Sequence, residues 1–311
     1  MQDLRTRKER RYAHPLLVAL ATIGVFTVLI TVAFFLLILW TTKGGITTPS
    51  IYHGDKIGVV DIKGLITEPE ATIKTLRDFR YNQKIKGVVI RINSPGGAVG
   101  ASQELYEEIL RLDREKPVVA SLATVAASGG YYASLGARHI VANPGTVTAS
   151  IGVIMKVPNI EGLLEKLGIK TTVVKSGAFK DLGSITREMT EDERALLRGV
   201  MQDIQKQFVT AVAESRKLPE EQVSAIADGR IMTGHQALDA KLVDQLGNFS
   251  VAVDKAASLA GIEGRPELVY PKKNRISIMK EFLREEGAKT LGNALRQLLG
   301  SSTDSPVSYG I

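Results

Sequence analysis

The hydrophobic pattern changes period several times along the chain. Leu16–Trp40 is apolar on every face and carries no charge. As a helix it reaches roughly 37 Å, enough for a hydrocarbon core of about 30 Å with some tilt. It is too long for the apolar core of a cleavable signal peptide and ends in Trp40-Thr41-Thr42-Lys43, so it predicts an uncleaved, single-pass anchor. After a polar linker at 41–55, continuous apolar runs alternate with helical spacing. Lys56–Ile62, Gly87–Ile92, Pro117–Leu122, His139–Ala142 and Thr171–Val174 read as strands. Pro69–Asn82 sets Ile73, Leu76 and Phe79 on one helical face, and Ala98–Arg114 does the same with Leu105, Ile109 and Leu112. This alternation predicts an α/β domain with a mainly parallel sheet. Runs such as Gly87-Val88-Val89-Ile90 predict that both faces of the sheet are covered.

Further helices follow. Glu191–Arg216 is opened by Thr190 as N-cap, with Glu193 three residues on, the spacing of a capping box. Shorter helices are predicted at Pro219–Ala227, Thr233–Asp239 and Phe249–Ala260. Asn274–Leu299 is basic and amphipathic, suited to a membrane surface or to capping a neighbouring subunit. The chain thus divides into a basic segment (1–15), an anchor (16–40), a linker (41–55), a folded domain (56–265) and a C-terminal segment with a polar tail (266–311).

Charge refines this division. The net charge of +7 is concentrated at the two ends, and the middle is near neutral. The folded domain shows no basic stripe, so no nucleic-acid partner is expected. Arg5, Arg7, Lys8, Arg10 and Arg11 precede the apolar run and should stay in the cytoplasm. The domain after it is then periplasmic or otherwise extracytoplasmic, on the far side of the inner (cytoplasmic) membrane. The absence of cysteine excludes thiolate catalysis, disulfides and cysteine zinc sites. His14, His53, His139 and His235 show no metal-ligand spacing, and no G-x-S-x-G elbow is present. No metal and no cofactor are expected.

Two glycine-rich turns carry candidate chemistry. Asn93-Ser94-Pro95-Gly96-Gly97 joins a strand to a helix, where free backbone N–H groups can hold a developing oxyanion. On its own it is an ordinary turn. Ala126-Ala127-Ser128-Gly129-Gly130-Tyr131-Tyr132 follows a strand and seats Ser128 at another strand-to-helix transition. Such a serine serves equally as a nucleophile or as a tight packing contact. With histidine badly placed, a lysine is the available base. Lys180, in Lys175-Ser176-Gly177-Ala178-Phe179-Lys180-Asp181, has apolar neighbours. Taken alone, it reads as a solvated surface charge.

In order, these segments, together with Thr148-Ala149-Ser150-Ile151-Gly152-Val153, Asp228-Gly229-Arg230 and Leu242-Val243-Asp244, resemble the signal peptide peptidase A family in its short, single-domain form. The resemblance covers roughly residues 56–260. It implies a crotonase/Clp-protease-like ββα spiral and a serine endopeptidase that cleaves remnant signal peptides through an acyl-enzyme. It implies Ser128 as nucleophile, Lys180 as general base and Ser150 as the residue orienting the lysine. Gly96 or Gly97, with Gly129, would form the oxyanion hole. It further implies apolar extended peptides as substrates and a homo-oligomer, commonly an octamer, in which serine and lysine come from adjacent subunits. Alternatives are a related membrane protease acting on stomatin-like proteins, a crotonase-fold acyl-CoA enzyme, and a non-enzymatic membrane scaffold.

Overall fold

The apolar runs form one eight-stranded sheet in the computed structural model of the chain, which describes residues 24–34 and 55–271. Residues 24–34 are helical and exposed. The expected span Leu16–Trp40 extends beyond them on both sides, outside the described residues, and among the described residues no helix is long and apolar enough to cross a membrane. The expected basic segment, nearly all of the linker and the amphipathic segment Asn274–Leu299 also lie outside the described residues.

The strands are β1 (Lys56–Lys63), β2 (Ile85–Ser94), β3 (Val118–Ala127), β4 (His139–Ala142), β5 (Val147–Ala149), β6 (Ile231–Thr233), β7 (Gln245–Leu246) and β8 (Glu267–Val269). The sheet runs β6-β5-β3-β2-β1-β8, with β4 pairing β3 and β7. Every pairing is parallel except β5 with β6. The helices of the domain are α1 (Glu70–Tyr81), α2 (Val99–Glu115), α3 (Gly129–Ser134), α4 (Glu161–Lys166), α5 (Glu191–Arg216), α6 (Glu220–Ser224), α7 (Gly234–Asp239) and α8 (Phe249–Leu259).

The absence of alternation in the central strands has the expected cause. Val60, Ile90, Ala120 and Ile140 face one core, shared with Leu76 of α1, Leu105 and Ile109 of α2, Tyr131 of α3 and Val212 of α5. Val89, Val119 and Val141, one residue out of step, face a second core closed by Ala252, Val253 and Ala256 of α8. A strand buried on both faces gains by being apolar at every position. The helix faces also match, since Ile73, Leu76 and Phe79 of α1 and Leu105, Ile109 and Leu112 of α2 are all buried. The capping box at Thr190 and Glu193 is formed.

One expected strand is corrected. Thr171–Val174 is not a strand, and its residues are exposed, Val174 at 96%. It has no strand partner among the described residues. β-branched side chains favour a strand only when neighbouring strands and a half-buried surface are there to pack them. β3 also runs five residues past the expected Leu122, to Ala127, which carries the strand up to Ser128.

Candidate active site

Register places the motifs. Ser94 of β2 pairs with Ala126 of β3, and Ala127 of β3 pairs with Ala149 of β5. The glycine loop after β2, Ser128 after β3 and Ser150 after β5 therefore emerge side by side at the carboxyl ends of adjacent parallel strands. That is where open α/β sheets leave a crevice.

The backbone there is held in strained conformations. Ser128 has φ 52° and ψ −122°. Ala149 (φ 62°) and Ser150 (φ 52°) are also left-handed, so three of the five non-glycine residues with positive φ among the described residues meet here. Each such residue costs on the order of 1–3 kcal/mol and persists only where its surroundings enforce it. The enforcing contacts are clear. Ser128 N–H donates to the Ala149 carbonyl at 2.8 Å, Ser150 N–H donates to Arg230 O at 2.9 Å, and Tyr132 N–H returns to Ser128 O at 2.8 Å. The Ser128 side chain is left half-buried, and its hydroxyl has no hydrogen-bond partner among the described residues.

Backbone donors flank it. Ser94 Oγ accepts from Gly96 N–H at 3.1 Å, so that group is occupied. At Gly97 the chain runs beside Ile66, but the bonds there go from Ile66 N–H to Gly96 O and from Ala98 N–H to Ile66 O. The Gly97 N–H is left without an acceptor among the described residues. The Gly129 N–H is likewise free, as expected for the first residue of a helix. The two lie close together, since a Cβ on Gly129 would sit 3.3 Å from Gly97 N and 2.2 Å from Ser102 Oγ. Glycine is required for the approach. A Cβ on Gly97 would fall 2.1 Å from Ile66 O, and one on Gly96 (φ 103°) would fall 2.9 Å from Ser128 Cβ.

A narrow apolar pocket opens beside Ser128. Val99, Tyr132, Val153, Ile204 and Phe208 line it, together with Gly97, Ser128 and Gly129. Its free volume is about 20 Å³, close to the space that one water needs. Phe208 of α5 packs on Tyr132 at 4.8 Å between ring centroids, and Tyr106 meets the same ring edge-on at 5.4 Å. Of the lining residues, Val99, Ile204 and Phe208 stand outside the motifs singled out in the sequence. Their signal was the spacing of Ile204 and Phe208, four apart on the inward face of α5.

Lys180 is exposed, its backbone N–H donates to Gly177 O at 3.2 Å, and it does not line the pocket. It belongs to a stretch, roughly 153–189, that is largely exposed and contains no strand. Ser150 Oγ donates to Gly229 O at a long 3.4 Å. The structure thus gathers Ser128, Ser150, Gly96, Gly97 and Gly129 within one chain, and among the described residues no hydrogen bond joins Lys180 to any of them.

A sheet-end serine on a strained turn, with unpaired N–H groups and an apolar slot beside it, is an arrangement for acyl transfer to a hydroxyl. Comparison with known proteins gives the class. The family described as Peptidase family S49 matches residues 111–263. A protein of Synechocystis sp. carrying a protease name is 43% identical over 210 residues, covering 67% of this chain and 76% of its own. Protease 4 of Salmonella typhi is 36% identical over 220 residues, 68% of this chain but 35% of its own. The chloroplastic serine protease SPPA of Arabidopsis thaliana is 33% identical over 258 residues, 80% of this chain and 38% of its own. The protein is a serine protease. It belongs to peptidase family S49, the signal peptide peptidase A family.

Proposed function

We propose that the chain is a membrane-anchored endopeptidase that cleaves remnant signal peptides and similar apolar peptides with a Ser128–Lys180 dyad assembled between two copies of the chain. The observation that carries the reading is Ser128 itself, strained at a strand end and, among the described residues, unpartnered at its hydroxyl and flanked by the free N–H groups of Gly97 and Gly129. The scissile carbonyl lies over Ser128. Neutral Lys180 of a neighbouring copy takes the hydroxyl proton as Oγ attacks the carbonyl carbon. The Gly97 and Gly129 N–H groups receive the oxyanion. As the tetrahedral adduct collapses, the C–N bond breaks, the leaving amine takes the proton from Lys180, and an acyl-Ser128 ester remains. Lys180 then activates a water that hydrolyses the ester. Ser150 steadies the lysine ammonium.

The small pocket suits a small apolar side chain next to the scissile bond. The protease names of the relatives favour a peptide over an acyl-CoA substrate. Assembly is supported by the apolar side chains that the 153–189 stretch leaves in solvent, among them Ile154, Leu167, Val174 and Phe179. Such a surface on one chain calls for a partner surface. Anchoring rests on Leu16–Trp40, with the domain extracytoplasmic and the fold of the crotonase/Clp-protease type. Membrane proteins of stomatin type would be cut by the same dyad.

The test is covalent. A fluorophosphonate probe added to the full-length protein should label Ser128, mapped by peptide mass, and Ser128→Ala should abolish both labelling and cleavage of an apolar peptide. Labelling at another residue, or full turnover by Ser128→Ala, overturns the reading.

A further inference from the structure

The residue after Lys180 anchors a chain of ion pairs that leads away from it. Asp181 Oδ1 accepts from Lys175 Nζ at 2.5 Å, and the same ammonium reaches Ala178 O at 2.8 Å. These bonds close the loop 175–181 on either side of Lys180. Asp181 Oδ2 accepts from Arg187 Nε at 2.8 Å. The far edge of that guanidinium grips both carboxylate oxygens of Glu193, one of them at 2.8 Å. Glu193 is 2% exposed and closes the capping box of α5, accepting Thr190 N–H at 2.9 Å. Asp181 and Glu193, on the loop and the helix, are thus joined through one arginine. The fork geometry of a guanidinium suits such a bridge, and an ammonium makes only part of it.

The middle of α5 belongs to the peptide pocket. Ile204 and Phe208 line it, and Gln205 Nε2 donates to Ala227 O at 2.7 Å. From Glu193 to Phe208 the helix covers roughly 22 Å. One rigid helix therefore carries a pocket wall near its middle and the lysine loop at its start.

The charge pattern has a second consequence. A lysine that must be neutral to act as base is hindered by a free carboxylate next to it, because that carboxylate stabilises the ammonium. Asp181 is not free, since Arg187 and Lys175 hold it, and its carboxyl lies well below the usual carboxylate range for that reason. The charged groups around the bridge are Lys175 and Asp181 on the loop, Arg187 and Glu188 after it, and Glu193 on α5, with Arg194 alongside and paired to Glu191 at 3.4 Å.

We propose that Arg187 is a positioning residue of this protease, fixing the Lys180 loop to the start of α5 and keeping the Asp181 carboxylate from pairing with Lys180. The proposal rests on the dyad reading above.

The test compares Arg187→Gln, Arg187→Lys, Asp181→Asn and Lys180→Ala in the full-length protein, using a fluorogenic apolar peptide and following assembly by light scattering. Arg187→Gln should lower kcat on the order of 10–100-fold with KM little changed, the cost of a misplaced catalytic group. It should also move the rising limb of the kcat/KM pH profile to higher pH, because Asp181 has lost a cation. Arg187→Lys should recover part of kcat. Asp181→Asn should lower kcat but move the limb to lower pH, because a carboxylate has gone and two cations remain. Opposite displacements are the signature that a merely structural role would not give. If Arg187→Gln fails to assemble, Asp181→Asn decides alone. Wild-type kcat and profile in the assembled variants, or displacement in the same direction, overturns the proposal while Lys180→Ala remains inactive. Full activity in Lys180→Ala instead overturns the dyad reading itself.

Discussion

The two halves of the proposed site are built to different standards. Around Ser128 the chain is finished, with strained residues enforced by backbone bonds and buried side chains packed on both faces of the sheet. Around Lys180 the chain is locally ordered by Lys175, Arg187 and Glu193, yet its apolar side chains face solvent. One region is complete within a single copy. The other is tied by ion pairs yet leaves apolar side chains exposed, the feature on which the proposed assembly rests.

The sharpest way to break that contrast is to separate the two halves genetically. Ser128→Ala and Lys180→Ala should each lose at least about a thousandfold in kcat. Co-assembled in equal amounts, the two inactive proteins should regain roughly a quarter of wild-type activity, because a quarter of head-to-tail interfaces would join an intact serine to an intact lysine. No recovery in a mixture shown by mass to contain both chains would place serine and lysine on the same copy.

A smaller effect sharpens the same comparison through stability. Leu122→Ala, in the buried β3, should cost about 2–5 kcal/mol in denaturant unfolding. Val174→Asp, at a residue 96% exposed, should change unfolding of the single chain by less than about 0.5 kcal/mol yet shift the assembly toward smaller species. If Val174→Asp leaves the mass distribution unaltered, the 153–189 stretch is not an interface.

The same division decides what the sequence disclosed. Strand and helix periodicity was legible wherever the two cores enforce it. Val88 and Val89, one facing each core, are the plainest case. Ser128, the glycine loops and their free N–H groups were legible as motifs, but which of Gly96 and Gly97 offers its N–H was not. Gly96 N–H is taken locally by Ser94 Oγ, while Ile66, distant in sequence, bonds Gly96 O and Ala98 N–H and leaves the Gly97 N–H without an acceptor among the described residues. Thr171–Val174 misled because a run of β-branched residues looks the same in a strand and on an exposed loop. Arg187 went unnoticed because an arginine six residues from two acids, one on each side, has no periodicity to mark it.

The smallest expected effect concerns acid. Hydrogen bonds from Arg187, and then from Thr190 N–H, hold the Glu193 carboxyl down at about 2, against an ordinary 4.5. A carboxyl with a lowered folded-state value contributes stability that is fully present above its unfolded value and is lost as pH falls through the folded one. The bridge should therefore hold above about pH 4.5 and loosen between there and about pH 2. Amide exchange across 175–193 should rise through that window in the wild-type protein, while β2 and β3 stay protected until the whole domain unfolds. In Glu193→Gln the segment should already exchange faster at neutral pH and respond less to acid. Equal acid sensitivity in wild type and variant would mean that the lysine loop is held by something other than this bridge, and the contrast between the two halves of the proposed site would lose its physical basis.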